Sequence, residues 1–166
     1  MPGAVRRMAP GDAALLKSLR LRMLSEAPIA FGSTYEREAA FGDDVWIDRL
    51  QPSGHPHFVA LDGLGAAVGM AAVVPHEVRV RVAHLVGMWV ESAARGTGVA
   101  DALIAAAVRH ARTDGSTTMV LWVVAGNSRA QGCYERHAFS RTGLEEQRER
   151  DGVIEIEMAR DLTAAR

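Results

Sequence analysis

The residues with the clearest chemical capacity lie in the stretch from His84 to Arg112, HLVGMWVESAARGTGVADALIAAAVRHAR. Its opening is apolar and strand-like. Its second half carries Val99, Ala100, Leu103, Ile104, Ala107, Val108 and Ala111 at the spacing of one buried helix face. Between them stands the turn Arg95-Gly96-Thr97-Gly98. A strand that feeds a glycine turn and then a helix is suited to holding an anion. Gly96 and Gly98 let the backbone approach closely, Arg95 adds charge, and the first amides of the helix have no partner of their own and carry the positive end of its dipole.

Further along, Asn127, Ala130 and Tyr134 fall at i, i+3 and i+7, which puts them on one helix face with little bulk beside the phenol. Asn127 or Ser128 also suits a helix cap. Cys133 sits next to Tyr134 but has no His-Asn arrangement to activate it, so a buried, inert thiol is expected. The six histidines show no metal-ligand spacing such as H-E-x-x-H, and one cysteine leaves neither a cysteine cluster nor an internal disulfide. No metal is expected.

These side chains need a scaffold, and 166 residues with 48% hydrophobic content suit one compact domain over 1–166. Lys and Arg total 19 against 20 Asp and Glu, a net charge of -1, which points away from nucleic acid and membrane surfaces as partners. No apolar run approaches the roughly 18 residues needed to span a bilayer. The lone cysteine and the absence of an N-terminal apolar run favour a reducing cytoplasm.

Taken in order, Gly3 to Met8 fits a short first strand, and Asp12 is placed to cap a helix running to about Glu26, with Pro28 beyond it. Ser33 and Glu36 have capping-box spacing, so a short helix is expected near Thr34. Phe31 and Tyr35, with Glu36 and Glu38 close by, form either an aromatic plug on the core or one wall of a pocket for a cationic substrate. Trp46, Ile47 and Leu50 read as helix up to Pro52. His57 to Leu61 and Ala66 to Val74 flank Asp62-Gly63-Leu64-Gly65 as a hairpin. The alternation Arg79-Val80-Arg81-Val82 predicts an extension of the strand that ends at Val90, with arginines on one face and valines on the other. Thr117 to Val124 is a continuous apolar run, expected as a buried strand parallel to its predecessor across the helix. Asp151-Gly152 predicts a closing hairpin between Phe139–Arg150 and Val153–Arg160. In its second strand Ile154, Ile156 and Met158 should face inward, with Glu155 and Glu157 turned away.

The ordered combination resembles the GNAT superfamily of acyl-CoA-dependent N-acetyltransferases, in its small single-domain bacterial form. The residues that carry the resemblance are Arg95-Gly96-Thr97-Gly98-Val99-Ala100 after a strand ending in Val90, then VLWVV, Asn127, Ala130, Tyr134 and Phe139 in that order. The early L-R-x-R-x-L-x-x-A-P-x-A-F-G-S-T-Y-E stretch adds to it. The resemblance implies a mixed α/β fold with a central six- or seven-stranded mixed sheet and about four helices. The sheet starts as an antiparallel meander and continues in a splayed parallel pair. Ser92 stands where a Pro is frequent, and Ala138 replaces the Gly before Phe139. If that position is left-handed, Ala costs about 1 kcal/mol or more.

The resemblance also implies a chemistry. Acetyl-CoA is the cosubstrate, with its pyrophosphate at Arg95, Gly96, Thr97, Gly98, Val99 and Ala100. Backbone groups at Met88, Trp89 and Val90 would serve its pantetheine arm and thioester oxygen, and Asn127 would complete that side. Tyr134 would donate to the departing CoA sulfur. With ordinary pKa values near 10 for a phenol and about 8.5 for a thiol, full transfer is uphill by roughly 2 kcal/mol, so a hydrogen bond to the thiolate matters as much as the proton. The acceptor amine must lose a proton before it attacks. His84, eleven residues before Arg95, and Glu77 in the preceding loop compete with water for that role. Members of the superfamily often dimerise, and oligomeric state stays open here. Two rivals remain. One is a non-catalytic acyl-CoA-binding module on the same fold. The other is a Rossmann-type dinucleotide protein, disfavoured because Asp101 replaces the third glycine of G-x-G-x-x-G and no acid for a ribose follows the next strand.

Overall fold

The computed structural model describes residues 3–164. Seven strands form one mixed sheet in the order β1-β2-β3-β4-β5-β7-β6. They are β1 Val5–Arg7, β2 His57–Leu61, β3 Ala67–Pro75, β4 Val82–Val90, β5 Thr118–Val124, β6 Ser140–Gln147 and β7 Ile154–Asp161. Among the described residues five α-helices accompany them: α1 Ala13–Glu26, α2 Tyr35–Ala39, α3 Asp43–Arg49, α4 Val99–Thr113 and α5 Ser128–Arg136. This is the mixed α/β sheet expected, antiparallel except for the β4–β5 pair, which runs parallel from Val82↔Thr118 to His84↔Val120. Two compact units divide the chain. One takes the residues up to Ala72 together with Gly87–Ala106, the other Val73–Val86 together with the chain from Ala107 onward. No helix among the described residues is long and apolar enough to cross a membrane.

In the first unit, α1 turns Leu16, Leu19, Met23 and Leu24 onto Trp46, Leu50, Val59, Met70 and Trp89, with Phe31 and Phe41 packed around them. Each such side chain removed from water contributes about 1.5–3 kcal/mol. The helix is therefore held by its buried stripe more than by its start. Asp12 precedes α1 but does not cap it with its side chain. Its carboxylate instead accepts from the Ala9 N–H at 2.8 Å and pairs with Arg6, which lowers its pKa to about 2. The cap of α2 also differs from expectation, since Thr34 rather than Ser33 accepts from Arg37 N–H. Ser33 is drawn away to the Glu38 carboxylate.

In the second unit, β5 pairs in parallel with β4 on one edge and antiparallel with β7 on the other. Met119, Val120 and Leu121 are buried accordingly, as the continuous apolar run required. Two expectations fail here. The segment 79–81 is not strand: Arg81 has φ 58°, β4 begins at Val82, and Val78 and Val80 are exposed. Arg79 is drawn to Glu157, and Thr117 N–H donates to Arg81 O at 2.8 Å, so the alternation is overridden by polar contacts. Glu157 does not face solvent either; it is 0% exposed, while Ile154, expected inside, is 39% exposed.

Candidate functional site

The anion turn belongs to the first unit. β4 ends at Val90, a 3-10 turn spans Ser92–Ala94, and α4 starts at Val99. Gly96 and Gly98 adopt φ of 78° and 90°, the left-handed region open to glycine. Among the described residues, the backbone N–H groups of Gly96, Thr97, Gly98, Val99 and Ala100 have no acceptor of their own. Five successive donors thus gather at the start of a helix of 15 residues. Side chains brace the turn from beneath. Arg95 Nε donates to Val90 O at 3.0 Å and Thr97 Oγ1 to Ala94 O at 2.6 Å, while the Arg95 side chain is otherwise exposed.

The strand segment before the turn divides its roles. The Trp89 side chain is buried in the core, with Arg22 placed 5.3 Å over its ring, so only its backbone is available to a ligand. Arg22 also pairs with Glu91. Met88 is half-buried and Val90 buried. Just before them, Gly87 has φ 58° and kinks β4, a feature for which a glycine inside a strand pattern was the available signal.

Phe31 and Tyr35 separate. Phe31 packs against the core, which favours the plug, and Tyr35 opens α2 with 44% of its surface exposed. Of the two acids beside them, Glu36 is exposed. Glu38 is buried and held by Arg20, with Nε at 3.0 Å, and by Arg49 at 3.5 Å. Those arginines outweigh its burial and keep the Glu38 pKa below its ordinary value.

In the second unit, Asn127 caps α5, its Oδ1 accepting from Ala130 N–H at 3.1 Å. Gln131 donates to Ala125 O at 2.7 Å, tying α5 to the end of β5. The helix closes around Ala138, whose φ of 61° is left-handed. Phe139 N–H reaches Tyr134 O and Ala138 N–H reaches Glu135 O, both at 3.1 Å, the paired bonds of a Schellman ending. The apolar contact of that motif is Phe139 on Tyr134, edge-on with ring centroids 5.8 Å apart. The Ala in place of Gly therefore leaves Tyr134 held in position. Burial pushes the Tyr134 phenol up, and its hydroxyl has no hydrogen-bond partner among the described residues. Cys133 is half-buried rather than buried.

His84 lies on β4 opposite Val120, half-buried, with the His76 ring 6.4 Å away. Its pKa is lowered, first by burial and then by His76 and Arg79, against the opposing pull of Glu157 and Glu77. The neutral, proton-accepting form is favoured. Glu77 is exposed on the preceding loop. Behind these stands a pair that the sequence pattern hid: buried Glu157 receives Arg79, with Nη1 to Oε1 at 3.3 Å. His76 Nδ1 accepts from the backbone N–H of Val78 and Arg79, which fixes the loop that carries Glu77.

A family model described as "Acetyltransferase (GNAT) family" matches residues 21–139. The chain belongs to that family. Among characterised relatives, mycothiol acetyltransferase of Corynebacterium glutamicum is 34% identical over 73 residues, 44% of this chain and 24% of that protein. L-methionine sulfoximine/L-methionine sulfone acetyltransferase of Pseudomonas aeruginosa is 32% identical over 103 residues, 60% of this chain and 59% of that protein. The matches thus span less than two thirds of either relative. The fold is shared with an acetyltransferase from Salmonella typhimurium solved with its cofactor acetyl-CoA, at TM-score 0.78 and 17% identity over 98% of this chain and 95% of that one.

Proposed function

We propose that the chain is an N-acetyltransferase that moves an acetyl group from acetyl-CoA directly to an amine. The observation that carries this reading is the run of five unclaimed backbone donors from Gly96 to Ala100 at the head of α4, in a chain of the GNAT acetyltransferase family. A pyrophosphate needs several converging N–H groups with no side chain between, and Arg95 adds charge at that turn. Backbone groups of Met88, Trp89 and Val90 serve the pantetheine arm and polarise the thioester carbonyl.

His84 accepts the amine proton, directly or through water. The amine lone pair forms the new C–N bond as the C–S bond breaks. Tyr134 donates a hydrogen bond to the sulfur that leaves with the electron pair. Its pKa is raised, so the phenol keeps its proton and stabilises the thiolate, which is protonated from solvent. Asn127 keeps its side-chain NH₂ for the cofactor side while its carbonyl caps α5.

Thermal stabilisation by acetyl-CoA, followed by an amine panel read as free thiol, tests the proposal. Amino-acid sulfones and sulfoximines head that panel because of the Pseudomonas relative. Stabilisation and thiol release are expected. A chain unmoved by acetyl-CoA overturns the reading, and stabilisation without thiol release from any amine leaves a binding module.

A further inference from the structure

We propose that the amine acceptor carries a carboxylate close to its amine, and that Arg20 of α1 recognises that carboxylate beside Gly87 of β4. The inference deepens the acyl-transfer reading above and rests on it. It starts from a charge imbalance in the first unit. One buried carboxylate, Glu38, is shared by two guanidinium groups, Arg20 and Arg49. Burial disfavours the charged form of Arg49, and Arg20 and Arg37 add to that against the pull of Glu38. His57 adds no further positive charge, since burial and these arginines hold its pKa down to about 4 and it stays neutral. The cluster therefore keeps one excess positive charge.

The two arginines dispose of that charge differently. Arg49 lies over the faces of Trp46 at 4.8 Å and Phe41 at 5.4 Å, whose rings answer part of its charge. Arg20 has no aromatic face over it among the described residues. Its Nε and Nη2 are committed to Glu38, and its Nη1 meets only the weak acceptor Sδ of Met23, at 3.8 Å. The side chain is 15% exposed, so water offers it little.

Nη1 lies against β4 at Gly87, where a Cβ would come within 3.3 Å of it and glycine removes that crowding. The kinked backbone there, φ 58°, also disfavours any other residue. Gly87 immediately precedes Met88–Val90, the segment assigned to the thioester. A carboxylate a bond or two from the attacking amine falls within one strand residue of it, about 3.3 Å. An anionic oxygen arriving over Gly87 would complete the third nitrogen of Arg20 with a charge-assisted bond and cancel the excess charge. A pocket for a cationic substrate was one of two readings of Phe31 and Tyr35 with Glu36 and Glu38; the pairing of Glu38 gives its cluster the opposite sign.

The test compares matched amines on the intact chain at saturating acetyl-CoA, read as free thiol. Each α-amino acid, including methionine sulfone and phenylalanine, is set against its carboxamide and its decarboxylated amine. The acids should have a kcat/KM higher by at least about tenfold, the low end for a hydrogen bond to a charged group. Arg20→Met should erase the preference and leave the KM for acetyl-CoA unchanged. Because that change strands Glu38, the double variant Arg20→Met, Glu38→Met repeats the measurement without a buried carboxylate, with the same result expected. Amides and decarboxylated amines that turn over as well as the acids overturn the inference and leave acyl transfer standing. A preference that survives in the double variant overturns the role of Arg20. Absence of thiol release with every amine overturns acyl transfer itself, and this inference with it.

Discussion

Arg79 and Glu157 form an ion pair whose halves are not equivalent, and their removal should show it. The Glu157 side chain is 0% exposed and that of Arg79 is 39% exposed. Arg79→Met leaves a buried carboxylate without its partner, a loss of about 3–5 kcal/mol. Proton uptake sets a ceiling on that loss. Neutralising a carboxyl with an ordinary pKa near 4.3 costs about 4 kcal/mol at pH 7 and about 1 kcal/mol at pH 5. The deficit of Arg79→Met against the parent should therefore shrink from about 3–4 kcal/mol at pH 7 to about 1–2 kcal/mol at pH 5. The signs agree. In the parent, Arg79 holds the Glu157 pKa below its ordinary value, so its stabilisation is present above that value and is lost as pH falls through the lowered one. In the variant the folded pKa is raised, so the variant gains on the parent as pH falls toward the ordinary value. Glu157→Gln has a different profile. Its amide still accepts from Arg79, and the half-exposed guanidinium can recover water, so the loss is about 1 kcal/mol and nearly flat with pH. Urea unfolding of the three proteins at pH 5, 6 and 7 measures all of this. Equal losses for the two variants at pH 7, or an Arg79→Met deficit that does not narrow at pH 5, would refute the reasoning.

Tyr134→Phe should lower kcat by about 10- to 100-fold, the worth of one hydrogen bond to a charged group, with acetyl-CoA affinity and thermal stability unchanged. Its hydroxyl bonds to no described residue and its ring keeps the Phe139 contact, so a fall in stability comparable to the fall in rate would contradict the assignment. For His84 the lowered pKa places the acid limb of kcat/KM below pH 6.5, with rate lost as pH falls through it. His84→Gln should cost about 100-fold or more and remove that limb, and a pH profile that keeps its shape assigns the base to Glu77 or water. Ala138→Gly relieves a left-handed alanine and should raise stability by about 1 kcal/mol, or Tm by about 2–4 °C; a lower Tm would contradict the strain at φ 61°.

The elements that position the site were legible because apolar spacing reports burial directly. The stripe from Val99 to Ala111 became α4, the unbroken run before Ala125 became β5, and Asp62 and Asp151 marked hairpins that exist. The glycine turn was legible for a related reason, since φ values of 78° and 90° at Gly96 and Gly98 are costly for other residues. Ala138 shows the limit of that reasoning. The tertiary contact between Phe139 and Tyr134 and two backbone bonds hold a left-handed residue that composition alone would place elsewhere.

Charge was not legible in the same way, and the reason is physical. A period-2 or period-3.6 pattern treats every carboxylate as a surface residue, because an unpaired one cannot be buried. Pairing lifts that restriction, and the partners here are far apart in sequence: 78 residues between Arg79 and Glu157, 18 between Arg20 and Glu38. In both cases the acid is the buried member and the arginine the more exposed one. That order follows from the guanidinium, which is weakly hydrated, has five donors and can keep one edge toward solvent while another binds. The consequence reaches specificity. Glu38 counts as a negative charge in the sequence, yet with Arg20 and Arg49 on it the cluster is net positive, and Nη1 of Arg20 is the donor that meets only a thioether sulfur. The polarity of a substrate site is thus set by which charges remain after pairing, and at Gly87 the one that remains calls for an anion.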